Sequence, residues 1–127
     1  MIRRMITKLD FLAVPSTDAE RSRAFYVDTL GLRPDERARF EVWAGETCFG
    51  IWEPKKFGME FASQKNAHPA LHVDDVAAAR AELEAKGVEF FGEILDTRLS
   101  RSHAAATAGG DWVGLICGAT VRRGVCA

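Results

Sequence analysis

Residues 66–75 read NAHPALHVDD and hold two of the chain's three histidines, His68 and His72, four residues apart, with Asp74 and Asp75 directly after them. Imidazole and carboxylate side chains close in sequence are the material of metal sites and of general acid–base catalysis. On a helix this His-x-x-x-His spacing would place both rings on one face, where they could grip one ion. The intervening residues argue for a strand instead. His68, Ala70 and His72 then share one face, and Pro69, Leu71 and Val73 take the other. Four residues of strand span about 13 Å at about 3.3 Å per residue, whereas zinc holds its ligands at about 2.0–2.3 Å. The two histidines therefore do not share an ion, and at most one ligates a given metal with help from other strands. The plainer roles are a hydrogen-bonded polar residue at a strand start for His68 and a solvated rim position for His72.

The bulk composition limits what else the chain does. Its 127 residues fit one domain, and 47% hydrophobic with 28% charged residues is an ordinary globular balance. A net charge of −1 gives no electrostatic reason to expect a nucleic-acid or anionic-membrane partner. No apolar run approaches the roughly 18 residues of a membrane helix. The start, MIRRMITKLDFLAV, is basic but lacks the long apolar core and small-residue cleavage site of a signal peptide. Cys48, Cys117 and Cys126 are odd in number and widely spaced, as expected of reduced cytoplasmic thiols rather than a disulfide framework.

These side chains need elements to position them. Residues 9–14 form a short apolar run, read as a strand. In STDAERSRAFYVDTLGL, Thr17 and Glu20 have capping-box spacing. Ala24, Tyr26 or Val27, and Leu30 give a helical stripe with Phe25 at its edge, and Gly31 stands where a left-handed cap belongs. Residues 40–43 and 47–52 read as strands around a turn at Ala44, Gly45 and Glu46. Residues 57–61 read as a further short strand and 69–73 as another. Asp74 or Asp75 then caps a second helix, VAAARAELEAK, closed by Gly87. Residues 88–95 and 112–117 complete the strands, the latter after a small-residue turn at Ala108, Gly109 and Gly110. The intervening RLSRSHAAATAGG is poor strand material, and a diverged hairpin is the preferred reading.

The order repeats. At a shift of 57 positions Ala13 meets Ala70, Asp18 meets Asp75, Arg23 meets Arg80 and Ala24 meets Ala81, with strand, cap and helix in register. A duplicated unit is expected, module one at about residues 7–63 and module two at about 66–120, within a single domain spanning 1–127.

LDFLAVPSTDAERSRAFYVDTLGL resembles the opening of the vicinal oxygen chelate superfamily, which includes glyoxalase I, extradiol dioxygenases, fosfomycin resistance enzymes and bleomycin-binding proteins. HPALHVDDVAAARAELEAKGVEF resembles the start of that family's second module. The resemblance implies an α+β fold of two βαβββ modules whose curved mixed sheets form a cup with helices outside. In metal-using members one divalent ion sits in the cup and polarises substrate oxygens as a Lewis acid. Its ligands are one side chain from the first strand of each module and a glutamate from a later strand of each.

Carried onto this chain, the second-module histidine falls on His68. The first-module ligand position falls on Phe11, and the two glutamate positions fall on Gly50 and Gly114. Three of the four positions lack a donor, and His68 is the only surviving family ligand position. Glu46 or Glu53 could supply a carboxylate only in a different register. One imidazole holds a divalent ion poorly, so no metal cofactor is expected. Phe11, Cys48, Gly50, Trp52, His68, His72 and Trp112 would instead line a cup for a small, partly aromatic ligand. Aromatics filling the core is the plainer alternative. The competing expectation is a lyase, isomerase or dioxygenase that uses His68 or His72 as general base, with zinc, nickel, manganese or iron if a metal is used. A homodimer is also implied by the resemblance.

Overall fold

The computed structural model describes residues 3–97, 101–108 and 110–116. Cys117 and Cys126 lie outside the described residues. Among the described residues eight strands and two α-helices follow one another in two matching sets. The first set is β1 (Phe11–Pro15), α1 (Ala19–Ala24), β2 (Arg33–Pro34), β3 (Glu41–Ala44) and β4 (Thr47–Trp52). The second is β5 (Ala70–His72), α2 (Val76–Ala85), β6 (Glu89–Thr97), β7 (Arg101–Ala108) and β8 (Asp111–Ile116). The strand orders are β1-β4-β3-β2 and β5-β8-β7-β6, so both sheets have the same topology. In each, the first strand pairs in parallel with the last and the remaining pairs are antiparallel.

The registers coincide as well. Ala13 stands opposite Gly50 and Ala70 opposite Gly114, so the two glycines hold equivalent ladder positions although they lie 64 residues apart and the first strands 57. Alternation then sorts side chains into two layers. Val14, Val42, Phe49, Ile51, Val113 and Leu115 face the helices, where they join Phe25, Tyr26, Val76, Leu83 and Val88 in one buried cluster shared by both modules. Leu71 and Val73 pack against this cluster while Ala70 and His72 are exposed, as the strand reading of NAHPALHVDD requires.

Several local expectations are corrected. The cap of α1 is Asp18, whose carboxylate accepts from the Arg21 N–H at 3.2 Å; Thr17 accepts from the Arg21 side chain, and Glu20 pairs with Arg39 instead of closing a capping box. Beyond Ala24 the helix widens into a π-helical stretch, Phe25–Thr29, with the Leu30 N–H bonded to the Phe25 carbonyl at 2.9 Å. The extra residue in that turn lets the consecutive Phe25 and Tyr26 both enter the core, while Ala24 is exposed. Phe25 is thus a core residue, not an edge one. Residues 57–61 form no strand, since a 3-10 turn at Pro54–Phe57 ends in left-handed Gly58. The module's fourth strand is β2, two residues long, which the sequence did not signal. Asp75 alone caps α2, accepting from the Ala78 N–H at 3.0 Å, and Asp74 contacts His72. The diverged hairpin does form, with β7 paired to both β6 and β8 despite its alanine-rich sequence.

A buried polar chain ties the modules together. Asp111, at the start of β8, is 4% exposed and accepts from the Ser22 hydroxyl of α1 through both oxygens, at 3.0 and 2.8 Å. While Asp111 is ionised the single proton of Ser22 goes to that carboxylate, and the Ser16 hydroxyl then donates to Ser22, at 2.5 Å. Burial pushes the Asp111 carboxyl up to about 6, against the opposing effects of the Ser22 bonds and the Arg21 charge. The neighbouring Tyr26 phenol is raised by burial and by the Asp111 charge.

Because the folded value of Asp111 lies above its ordinary 3.8, its stabilising contribution is fully present below about pH 4 and lost as pH rises through about 6. Asn accepts the same hydroxyl without a charge to desolvate. On moving from pH 4 to pH 7.5, Asp111→Asn should gain about 1–3 kcal/mol over the wild type. Urea unfolding of both proteins at the two pH values checks this, and a constant difference between them would contradict it.

Candidate functional site

The helix-free face of the first module carries the candidate site. Phe11, on β1, projects from this face and remains 50% exposed. Its ring leans along the strand onto Gly50 of β4. A Cβ placed on Gly50 would fall 2.7 Å from Phe11 Cε2 and 3.1 Å from Cε1, and closer still to Cζ. The phenyl ring occupies the space through which any side chain at position 50 would emerge. Phe11 and Gly50 are therefore coupled: an aromatic at the first position needs the bare backbone at the second.

With Trp52 they line an open cavity of about 470 Å³. That volume lies within the usual range for small-molecule sites, about 300–1,000 Å³. Trp52 is itself buttressed by Phe57, ring centroids 6.0 Å apart. Cys48 lies on the same face, and its thiol donates to Glu41 Oε1 at 3.3 Å. Burial, followed by the Glu41 hydrogen bond and charge, pushes that thiol up to about 11. It is a protonated donor rather than a nucleophile at neutral pH. Glu41 is the residue the sequence reading missed. It stands opposite Gly50 in the β3·β4 ladder and lines the cavity. Its alternation with Trp43 along β3 was the available signal.

The seven expected residues do not share one cavity. Phe11, Gly50 and Trp52 line the first, with Cys48 adjoining through Glu41. His68 and His72 line a second cavity of about 640 Å³ between the β1 and β5 edges, with Leu9, Leu12, Phe49 and Leu71. His68 Nδ1 lies 3.0 Å from the Lys65 carbonyl, and His72 Nε2 lies 3.3 Å from Asp74 Oδ1. Trp112 lines neither cavity. It packs on Phe91, centroids 4.8 Å apart, beneath the Lys65 ammonium at 5.6 Å. Glu46 is exposed in the β3–β4 turn, and Glu53 receives the Ala19 N–H at 2.9 Å and pairs with Lys56. Neither supplies the missing carboxylate.

Among the described residues no three His, Cys, Asp or Glu side chains converge to hold a metal ion. The donor set does not fit a divalent centre: at the positions the resemblance assigns to ligands, Phe11, Gly50 and Gly114 carry no donor side chain.

The sequence profile of the Glyoxalase/Bleomycin resistance protein/Dioxygenase superfamily matches residues 8–115. Comparison with curated protein sequences gives no match. Among solved structures the chain is similar to a glyoxalase family protein from Bacillus anthracis, at 21% identity and a TM-score of 0.75, covering 91% of this chain and 98% of that one. It is also similar to a superfamily member from Sphaerobacter thermophilus DSM 20745, at 19% identity and 0.71, covering 89% and 98%. A third is TnmS3, an antibiotic binding protein from Streptomyces sp. CB03234, at 25% identity and 0.64, covering 89% and 97%.

Gly50→Ala should cost about 1 kcal/mol, at the low end for overpacking because the half-exposed Phe11 ring can swing away. The cost should vanish in a Phe11→Ala background. A double-mutant cycle by thermal unfolding reads the coupling; strictly additive effects would show that ring and glycine are independent.

Proposed function

The chain belongs to the Glyoxalase/Bleomycin resistance protein/Dioxygenase superfamily, and from that premise we propose that it binds a small, partly aromatic organic molecule on the open face of its first module without a resident metal. The observation that carries this reading is the Phe11 ring seated on Gly50 beside Trp52. Two positions where metal-using relatives place ligands are converted here into an apolar wall and the space that accommodates it. Flat rings bury large area and recognise other flat surfaces by offset stacking. The likeness to an antibiotic binding protein supports a binding role.

No helix among the described residues is long and apolar enough to cross a membrane. We place the protein in the cytoplasm, with its thiols reduced, and expect it to act as a homodimer, because both β1 and β5 present a free strand edge. Light scattering after size exclusion tests the dimer.

A second reading rests on the seam cavity, which brings His68 and His72 to one apolar cleft. Imidazole titrates near neutrality. Under that reading His68 is the general base of a lyase, isomerase or dioxygenase, aided by added zinc, nickel, manganese or iron.

Metal analysis of the purified protein separates the two. The binding reading expects far less than one equivalent of divalent metal, and one equivalent lost on His68→Ala would overturn it. It further expects Trp52→Ala to weaken a bound aromatic ligand about tenfold, in line with about 1–3 kcal/mol for an aromatic contact in a binding pocket. Turnover of a dicarbonyl, epoxide or catechol substrate that disappears in His68→Ala would favour the second reading.

A further inference from the structure

The Phe11–Trp52 cavity carries a charge as well as aromatic walls. Glu41 and Arg39 are its charged lining residues. The Arg39 guanidinium is held in a bidentate pair with Glu20, at 2.8 and 2.8 Å, so its charge is neutralised at the rim. Among the described residues no lysine or arginine pairs with Glu41; its carboxylate receives the neutral Cys48 thiol through Oε1. A thiol is a weak donor and leaves the negative charge in place. Arg33, in register with Trp43 on β2, stacks on the Trp43 ring at 5.4 Å, and the Trp43 indole donates to Asp35. Glu41 thus supplies the cavity's carboxylate between the faces of Phe11 and Trp52, while the Arg39 guanidinium, paired with Glu20, lies over the Phe40 ring 6.0 Å from its centroid. Aromatic faces carry negative potential and attract cations, in the same sense as the carboxylate.

Resting on the binding role proposed above, we infer that this cavity selects a planar aromatic ligand bearing a positive charge, such as a protonated amine or ring nitrogen, with Glu41 as its counter-ion. The residue is a specificity determinant: the aromatic walls hold any flat ring, and Glu41 decides between ring systems of the same shape and different charge. The buried Cys48 thiol holds the Glu41 carboxylate through Oε1.

Isothermal titration at pH 8 with three tricyclic probes tests this: 9-aminoacridine as the cation, acridine as the neutral analogue and acridine-9-carboxylate as the anion. The cation should bind at least about fivefold more tightly than acridine, the size expected of one partly solvated charge contact, and the anion more weakly than both. Glu41→Gln should bring the ratio of the cation and neutral-probe affinities to about one, with far-ultraviolet circular dichroism showing that the variant is folded. Equal binding of 9-aminoacridine and acridine by the wild type, or a gap that survives Glu41→Gln, overturns the inference while the aromatic binding site stands. Failure of all three probes to bind overturns the binding site and the inference together.

Discussion

The parallel pairing of the first strand of each module with its last is the constraint on which the rest depends. Parallel neighbours cannot be joined by a tight turn, so each module must send its chain away through a helix and return through a meander. In the first module that pairing sets Phe11 against Cys48 and Ala13 against Gly50. It thereby puts the Phe11 ring, Gly50 and Trp52 on one open face and Leu12, Val14, Phe49 and Ile51 under the helix. A slip of one residue would exchange these sets, exposing the core and burying the site. The core side fixes the register, and the site inherits it.

The same register sets Phe11 and Gly50 side by side on the open face. Here the phenyl ring and the bare glycine are complementary in shape, each intelligible only with the other. Gly114 stands at the matching place in the second module, where its N–H bonds the Pro69 carbonyl at 2.7 Å, directly after His68. The carboxylate that remains, Glu41, sits one strand away and is oriented by a thiol rather than by a cation.

Much of the architecture was legible from local pattern. The two strand–helix units, the Gly31 and Gly87 turns with their left-handed backbone, and the Gly45 hairpin all follow from side-chain periodicity and from φ values that glycine adopts readily. The misreadings share one cause. Thr17 with Glu20 matches a capping box, but Arg39, distant in sequence, takes Glu20, and Asp18 is left to cap. Phe25 and Tyr26 are both buried in a π-turn, where Tyr26 packs edge-on against Phe49, a residue distant in sequence. β2 is two residues long and contains a proline, so it exists only because β3 offers a ladder edge. β7 is alanine-rich and is held as a strand between two neighbours.

The sequence by itself determined the module plan and the outward face of the His68–His72 strand. These depend on side-chain type and on alternation along one segment, which operate over a few residues. Only the tertiary structure decided that His68 and His72 open onto a different cavity from Phe11 and Trp52, that Trp112 stacks on Phe91, that Glu41 is the carboxylate of the aromatic cavity, and that Asp111 reaches across 89 residues to Ser22. Each is a pairing of side chains from different strands or helices. Which side chains meet is set by ladder register and by how the two sheets share one core, quantities that no single segment encodes.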